Sequence, residues 1–157
     1  MASLTAEAEK LHRTCSDGSC MDGKCRRGSC SVRLSAEETV AIIDCDECRC
    51  FSGNDSRPDF IILGESGGCL RFAIVEFKGR LQHPKSLQVQ LQAGADTVGS
   101  CRRFRMSKSP AKPIPVVIHS RGGRTADYEV LRSQRVTHRG KRYPILAKRC
   151  GYVLGFS

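Results

Sequence analysis

Two apolar runs separated by a turn dominate the pattern along the chain. Phe60-Ile61-Ile62-Leu63 comes first, Gly64-Glu65-Ser66-Gly67-Gly68 interrupts, and Leu70 to Phe77 follows. Short apolar runs bounded by turn residues read as strands, so this stretch predicts a β-hairpin. Leu87, Leu91, Ala95 and Val98 then recur at helical spacing, which predicts an amphipathic helix over Lys85 to Val98. Gly79 and Pro84 bracket the break between hairpin and helix. Pro113 to His119 reads as a buried strand. Val136 to Tyr143 predicts a second hairpin turning at Arg139-Gly140, and Tyr152 to Phe156 a last strand.

The first third of the chain carries weaker signals. Leu4, Ala8 and Leu11 predict a short helix over 2–12. Residues 13–33 hold Gly, Ser, Cys and charge without periodicity and read as loop. Ser35-Ala36-Glu37-Glu38 has the form of a capping box, so 35–44 reads as helix, although Thr39 to Ile43 is also good strand sequence. Cys48 to Phe51 reads as a short strand before the loop Ser52 to Ser56. The order helix, strand, hairpin, helix, strand predicts an α/β or α+β sandwich around a mixed central sheet flanked by helices. At 157 residues the chain suits a single domain. It divides into a Cys-rich loop at 13–34, a core at 35–120 and a basic extension with its hairpin at 121–157.

The first hairpin carries the candidate chemistry. Asp59 and Glu76 are equidistant from a turn centred between Gly67 and Gly68. Residues symmetric about such a turn face each other with Cβ atoms ~5 Å apart. Lys78 shares the face of Glu76 by the period of two. Two carboxylates and an ammonium should therefore converge at the hairpin's open end. Carboxylates so placed suit a hard divalent cation, Mg²⁺ or Mn²⁺. Such an ion activates water and stabilises a leaving oxygen, and a lysine offsets charge on a phosphorane.

Pro58-Asp59, a spacer of 16 residues and Glu76-Phe77-Lys78 resemble the PD-(D/E)xK nuclease superfamily. The apolar frames Phe60-Ile61-Ile62-Leu63 and Phe72-Ala73-Ile74-Val75 are similar to that family's central strands. Val89-Gln90-Leu91-Gln92-Ala93 is similar to the glutamine motif of the RecB and lambda-exonuclease-like branch; Gly94 stands where that branch often has Tyr. The resemblance covers about residues 35–120. It implies a restriction-endonuclease-like αβββαβ core and a nuclease that hydrolyses DNA. Asp59 and Glu76 would bind metal, Lys78 would assist the nucleophile, and Gln90 would orient the site, with Gln88 and Gln92 as competitors. It also implies an acid from the first helix, Glu38 or its neighbour Glu37, as a further Mg²⁺ ligand. Double-strand cutting would need a homodimer or a larger complex with a helicase.

Charge adds a partner. Residues 1–100 hold 12 Lys/Arg and 14 Asp/Glu, a net of −2, and residues 101–157 hold 14 and 2, a net of +12. Such asymmetry points to a polyanionic partner, nucleic acid first and an acidic membrane second. Arg102, Arg103, Arg105, Arg121 and Arg124 are the candidate phosphate contacts. A non-catalytic, zinc-containing nucleic-acid-binding module is the alternative reading, and a protein–protein adaptor on the same fold is a third.

The ten cysteines add a second metal question. No run approaches the ~20 apolar residues of a membrane span, and residues 1–10 lack the apolar core of a signal peptide. The expectation is a cytoplasmic protein with reduced thiols and no disulfide scaffold. Cys15, Cys20, Cys25 and Cys30 recur every five residues with glycine between them, a candidate Zn²⁺ set. An iron–sulfur cluster or free thiols in a flexible loop are the alternatives.

Overall fold

The apolar runs of the hairpin become the centre of a mixed sheet. The computed structural model describes residues 20–21, 24–35, 37–51, 56–101, 104 and 110–156. The helix expected over 2–12 lies outside these, as do Cys15, Arg102, Arg103 and Arg105; of Cys20 only the backbone is described. In chain order the elements are β1 (Cys20–Met21), β2 (Lys24–Arg27), β3 (Cys30–Leu34), β4 (Thr39–Asp44), β5 (Phe60–Ser66), β6 (Cys69–Lys78), α1 (Pro84–Ser100), β7 (Ala111–His119), α2 (Thr125–Ser133), β8 (Arg135–His138), β9 (Lys141–Pro144), β10 (Leu146–Arg149) and β11 (Tyr152–Leu154).

Five strands form the main sheet in the order β10-β7-β6-β5-β4. β4, β5 and β6 are antiparallel neighbours. β6 continues through α1 to β7, which returns parallel to it. β10 extends the sheet parallel to β7, from Val116 to His119 only. Pro113 and Pro115 thus sit where β7 has a neighbour on one side, the place a strand tolerates proline.

The two faces of the sheet are covered differently. On one, Leu87, Leu91, Ala95 and Val98 of α1 share a buried cluster with Ile61, Leu63, Phe72 and Ile74. The helix comes closest at Gly94, where a Cβ would lie 2.7 Å from Ile74 Cγ2 and 3.0 Å from Pro58 Cγ. On the other, Phe60, Ile62, Ala73 and Val75 pack against Cys25, Val32, Leu154 and Phe156. Those last residues belong to or adjoin a second sheet, β1-β2-β3-β11, in which β11 runs parallel to β3. The molecule is α+β, and the expected flanking helices cover one face only.

Several expectations are corrected here. The segment expected as a helix is strand from Thr39 to Asp44. The Ser35 carbonyl accepts from Thr39 N–H at 2.9 Å, and its hydroxyl accepts from Glu38 N–H at 3.4 Å, so one capped turn does form. It then gives way to β4, because Ala41 and Ile43 gain burial against the neighbouring strand. The Cys-rich stretch is not simply loop, since β1–β3 lie within it. Residues 49–51 form a 3-10 turn instead of a strand. The expectation of reduced thiols also fails: Cys30 is bonded to Cys150 and Cys50 to Cys101. The fold brings each pair together, with Cα atoms 5.2 and 5.9 Å apart, within reach of a disulfide.

Candidate functional site

Asp59 stands just before β5. The β5–β6 ladder pairs Ser66 with Cys69 and Phe60 with Val75, so Asp59 and Glu76 come opposite each other at the open end. Asp59 is held tightly there. Its N–H donates to Val75 O at 3.0 Å, and its carbonyl accepts from Cys45 N–H at 3.0 Å. Its Oδ2 accepts from Phe77 N–H at 2.7 Å, so the side chain extends the ladder by one bond.

Glu76 ends the apolar face of β6. It is 4% exposed, and its Oε2 has no hydrogen-bond partner among the described residues. Burial pushes its carboxyl up to about 9, the Asp59 charge and a hydrogen bond with Asp59 add to the rise, and the Lys78 ammonium opposes it. Glu76 is therefore protonated at neutral pH in the absence of a cation. A carboxyl buried this deeply and only partly bonded is costly in a structural role. An ion beside it would restore its charge and satisfy Oε2.

A third acid lies close by. Asp44 ends β4 and pairs with Phe60, one residue from Asp59. Arg27 of β2 joins the acids: its Nε donates to Asp59 Oδ1 at 3.3 Å, and its Nη2 donates to Asp44 Oδ1 at 3.1 Å and Asp46 Oδ2 at 3.5 Å. The guanidinium stacks 4.3 Å from the Phe60 ring centroid. Desolvation lowers the Arg27 pKa, but the Asp44 and Asp59 carboxylates outweigh it and leave the pKa raised. Asp46 also accepts from Arg57 Nε at 2.9 Å.

Lys78 points toward α1. With Gln90 it lines a groove of about 590 Å³ that also includes Arg80, His83, Ser86 and Arg121. A hollow of about 440 Å³ adjoins it at Lys78, Lys85 and Gln90, and another of about 290 Å³ at Arg80, Arg124 and Asp127. Arg80, Lys85, Arg121 and Arg124 make no ion pair among the described residues. Backbone bonds fix the floor. Arg121 N–H donates to Gly79 O at 2.9 Å, and Leu81 N–H donates to Gly122 O at 2.6 Å. The loops after β6 and β7 are thereby joined and present Arg80 and Arg121 together.

The glutamines separate by role. Gln88 donates to Arg135 O at 3.0 Å, and Gln92 both donates to Thr137 O at 2.8 Å and accepts from Thr137 N–H at 2.9 Å. Both tie α1 to β8, which leaves Gln90 as the one beside Lys78. His119 is structural. Its Nδ1 accepts from Gly122 N–H at 3.1 Å, which places its proton on Nε2, 3.1 Å from Tyr128 OH. Burial, then Arg149, lowers its pKa.

Glu38 is not part of this site. It precedes Thr39, which pairs with Gly64 at the turn end of the hairpin, whereas Asp44 pairs with Phe60 at the open end. Six residue steps of strand, ~20 Å, separate Glu38 from the acids. Its Oε2 instead accepts from Phe156 N–H at 3.3 Å. Glu37 lies at the same distant end. Asp44 escaped the sequence reading because its segment was read as helix. As a strand, an acid closing the alternation of Val40 to Ile43 would have carried the same signal as Glu76. Arg27 gave no signal at all.

The zinc set is also corrected. Cys25 and Cys30 are disulfide-bonded and offer no thiolate. Cys101 and Cys150, weighed for an iron–sulfur cluster, are bonded as well. Among the described residues, no group of three or more His, Cys, Asp or Glu is arranged around a metal position. Asp59 and Glu76 still fit Mg²⁺, which keeps several waters and uses one or two carboxylates together with substrate phosphate. The chain matches no protein-family model, no curated protein and no solved structure.

Proposed function

We propose that the chain is a divalent-metal-dependent nuclease that hydrolyses DNA phosphodiester bonds at Asp59, Glu76 and Lys78. The observation that carries this reading is the pairing of Asp59 with Glu76, whose Oε2 is buried without a partner among the described residues, two positions before Lys78 and the basic groove that Lys78 lines. The succession β4-β5-β6-α1-β7, with β7 parallel to β6, supports the restriction-endonuclease-like core that the motif implies. The first helix of that core has no counterpart at 35–44.

Bound at the two carboxylates, Mg²⁺ would polarise the phosphate and lower the pKa of water. Asp59, fixed through Oδ2 and its backbone, sets the position of that charge. Glu76 gives up its proton and closes the site from the helix side. Lys78 holds the attacking water and offsets charge on the phosphorane. Gln90 holds Lys78 in line. Arg80, Lys85, Arg121 and Arg124 bind flanking phosphates without reading sequence. One such site cuts one strand, so cleavage of both strands calls for a second copy or a partner.

The disulfides favour an oxidising setting over the reducing cytosol. The cytoplasmic assignment is therefore not carried forward.

The test is cleavage of single-stranded and duplex DNA with Mg²⁺ or Mn²⁺. Asp59→Asn and Glu76→Gln should each lower the rate by about 100-fold or more. Wild-type protein without metal-dependent cleavage, or with cleavage that Asp59→Asn leaves intact, sinks the reading. Arg27 on Asp59 favours a second reading, a non-catalytic nucleic-acid-binding module without the zinc. It expects salt-sensitive DNA binding that survives Glu76→Gln, and no cutting.

A further inference from the structure

One carboxylate of the proposed ion site, Asp59, already holds a cation. Besides its bond with Glu76, Asp59 takes two further donors: Oδ2 takes the Phe77 N–H and Oδ1 takes Arg27 Nε. The two bonds differ in how readily they yield. The first, at 2.7 Å, is to a backbone N–H at the end of the β5–β6 ladder, a donor that the sheet holds in place. The second, at 3.3 Å, joins the end of a side chain that is 27% exposed. Arg27 also has acceptors to retreat to, since Nη2 already reaches Asp44 and Asp46. Phe60 beneath the guanidinium keeps it in the same plane through such a shift.

We propose that Arg27 is the resident counter-ion of this cluster and competes with a divalent ion for Asp59. The inference rests on reading Asp59 and Glu76 as a divalent-ion site. When an ion loads, the Nε contact to Asp59 opens and Arg27 settles on Asp44 and Asp46. A cation of charge two and a guanidinium cannot share Oδ1 without strong repulsion at a few ångströms. Arg27 thereby sets how much free metal is needed to fill the site. Asp44 and Asp46 act as its alternative seat and need not touch the ion.

The hairpin that delivers Arg27 is itself anchored. In the β2–β3 ladder Arg27 lies opposite Cys30, and Cys30 is bonded to Cys150. The guanidinium is thus presented from a tethered strand of the second sheet. Its retreat has to be a motion of the side chain.

The experiment measures Mn²⁺ binding to the full chain without DNA, by electron paramagnetic resonance and calorimetry. Arg27→Gln should bind Mn²⁺ about tenfold tighter or more, and Arg27→Lys should stay near wild type because the charge is kept. Asp59→Asn should abolish the site in both backgrounds. Unchanged or weaker binding by Arg27→Gln, with the Asp59-dependent site intact, overturns the competition and leaves the ion site standing. Absence of Asp59-dependent Mn²⁺ binding in wild type and in Arg27→Gln alike removes the ion site, and the inference with it. Should Arg27→Gln fail to fold, the Arg27 Nε–H resonance of wild-type protein gives the answer. It should shift during Mg²⁺ titration, and a resonance that stays in place while the site fills overturns the proposal.

Discussion

The β5–β6 hairpin and the small β1-β2-β3-β11 sheet pack on each other across one buried cluster, yet they are specified in opposite ways. The hairpin is local. Its partners lie within twenty residues of each other, its strands carry the apolar runs 60–63 and 72–75, and Gly67 and Gly68 take the positive φ that its turn requires, 58° and 78°. The small sheet is assembled from distant pieces. β3 finds β11 far along the chain, and a disulfide across 120 residues fastens the two ends. A region defined by neighbours in sequence depends on core packing. A region defined by distant partners depends on whatever closes the long loop.

Removing the closure should break that contrast most strongly. Closing a loop of this length restricts the unfolded chain by about 5 kcal/mol in the chain-entropy account. Cys30→Ser with Cys150→Ser should therefore cost up to about 5 kcal/mol in denaturant unfolding. Hydrogen exchange should show protection lost first at 24–34 and 152–154 and kept at 60–78. Equal loss across both regions would mean that the two sheets form a single cooperative unit.

The next effect tests the hairpin's dependence on packing. Ile74 is fully buried between β5 and α1. Ile74→Ala should cost about 3 kcal/mol, read as a lower denaturation midpoint, while Cys30–Cys150 stays oxidised. Gly94→Ala tests the same contact from the helix. Alanine favours helix by about 1 kcal/mol, but the added Cβ collides with Ile74 and Pro58, so net destabilisation of about 1 kcal/mol should remain.

The last test is a pH slope, small over any one pH unit. Glu76 holds a proton in the folded state up to about pH 9, and it loses that proton near its ordinary value of 4.5 when unfolded. Its contribution to stability is complete below the unfolded pKa and is lost as pH rises through the folded one. Stability of the metal-free protein should fall across that window by no more than about 1.4 kcal/mol per pH unit. Glu76→Gln should flatten the slope in thermal melts at a series of pH values. An identical slope in the variant would show that another group is responsible.

The same contrast explains what could be read from the sequence. The register of Asp59 on Glu76 followed from counting residues to the Gly67-Gly68 turn. α1 followed from Leu87, Leu91, Ala95 and Val98, and the β8–β9 hairpin from Arg139-Gly140, which take positive φ as that turn needs. Asp44 was hidden because Ser35 starts a genuine turn, and only the partner strand decides that β4 follows it. α2 was missed because Leu131 is its one fully buried side chain, too little for a periodic signal. β10 is half-buried and takes its place only from β7. Arg27 was beyond reach, since its acceptors are gathered by a layer whose last strand lies far downstream.

The pairing of β3 with β11 also sets an order of events during synthesis. Strands β4 to β7 and helix α1 are complete once residue 119 has been made, and they can pair among themselves. Residues 24–34, made earlier, must wait for residues 152–154 before their sheet can close. A growing chain can therefore bring the carboxylates of β4, β5 and β6 together before the small sheet that carries Arg27 is complete. Domains fold as the chain emerges. The last strand to appear is the one that completes the small sheet to which the guanidinium belongs.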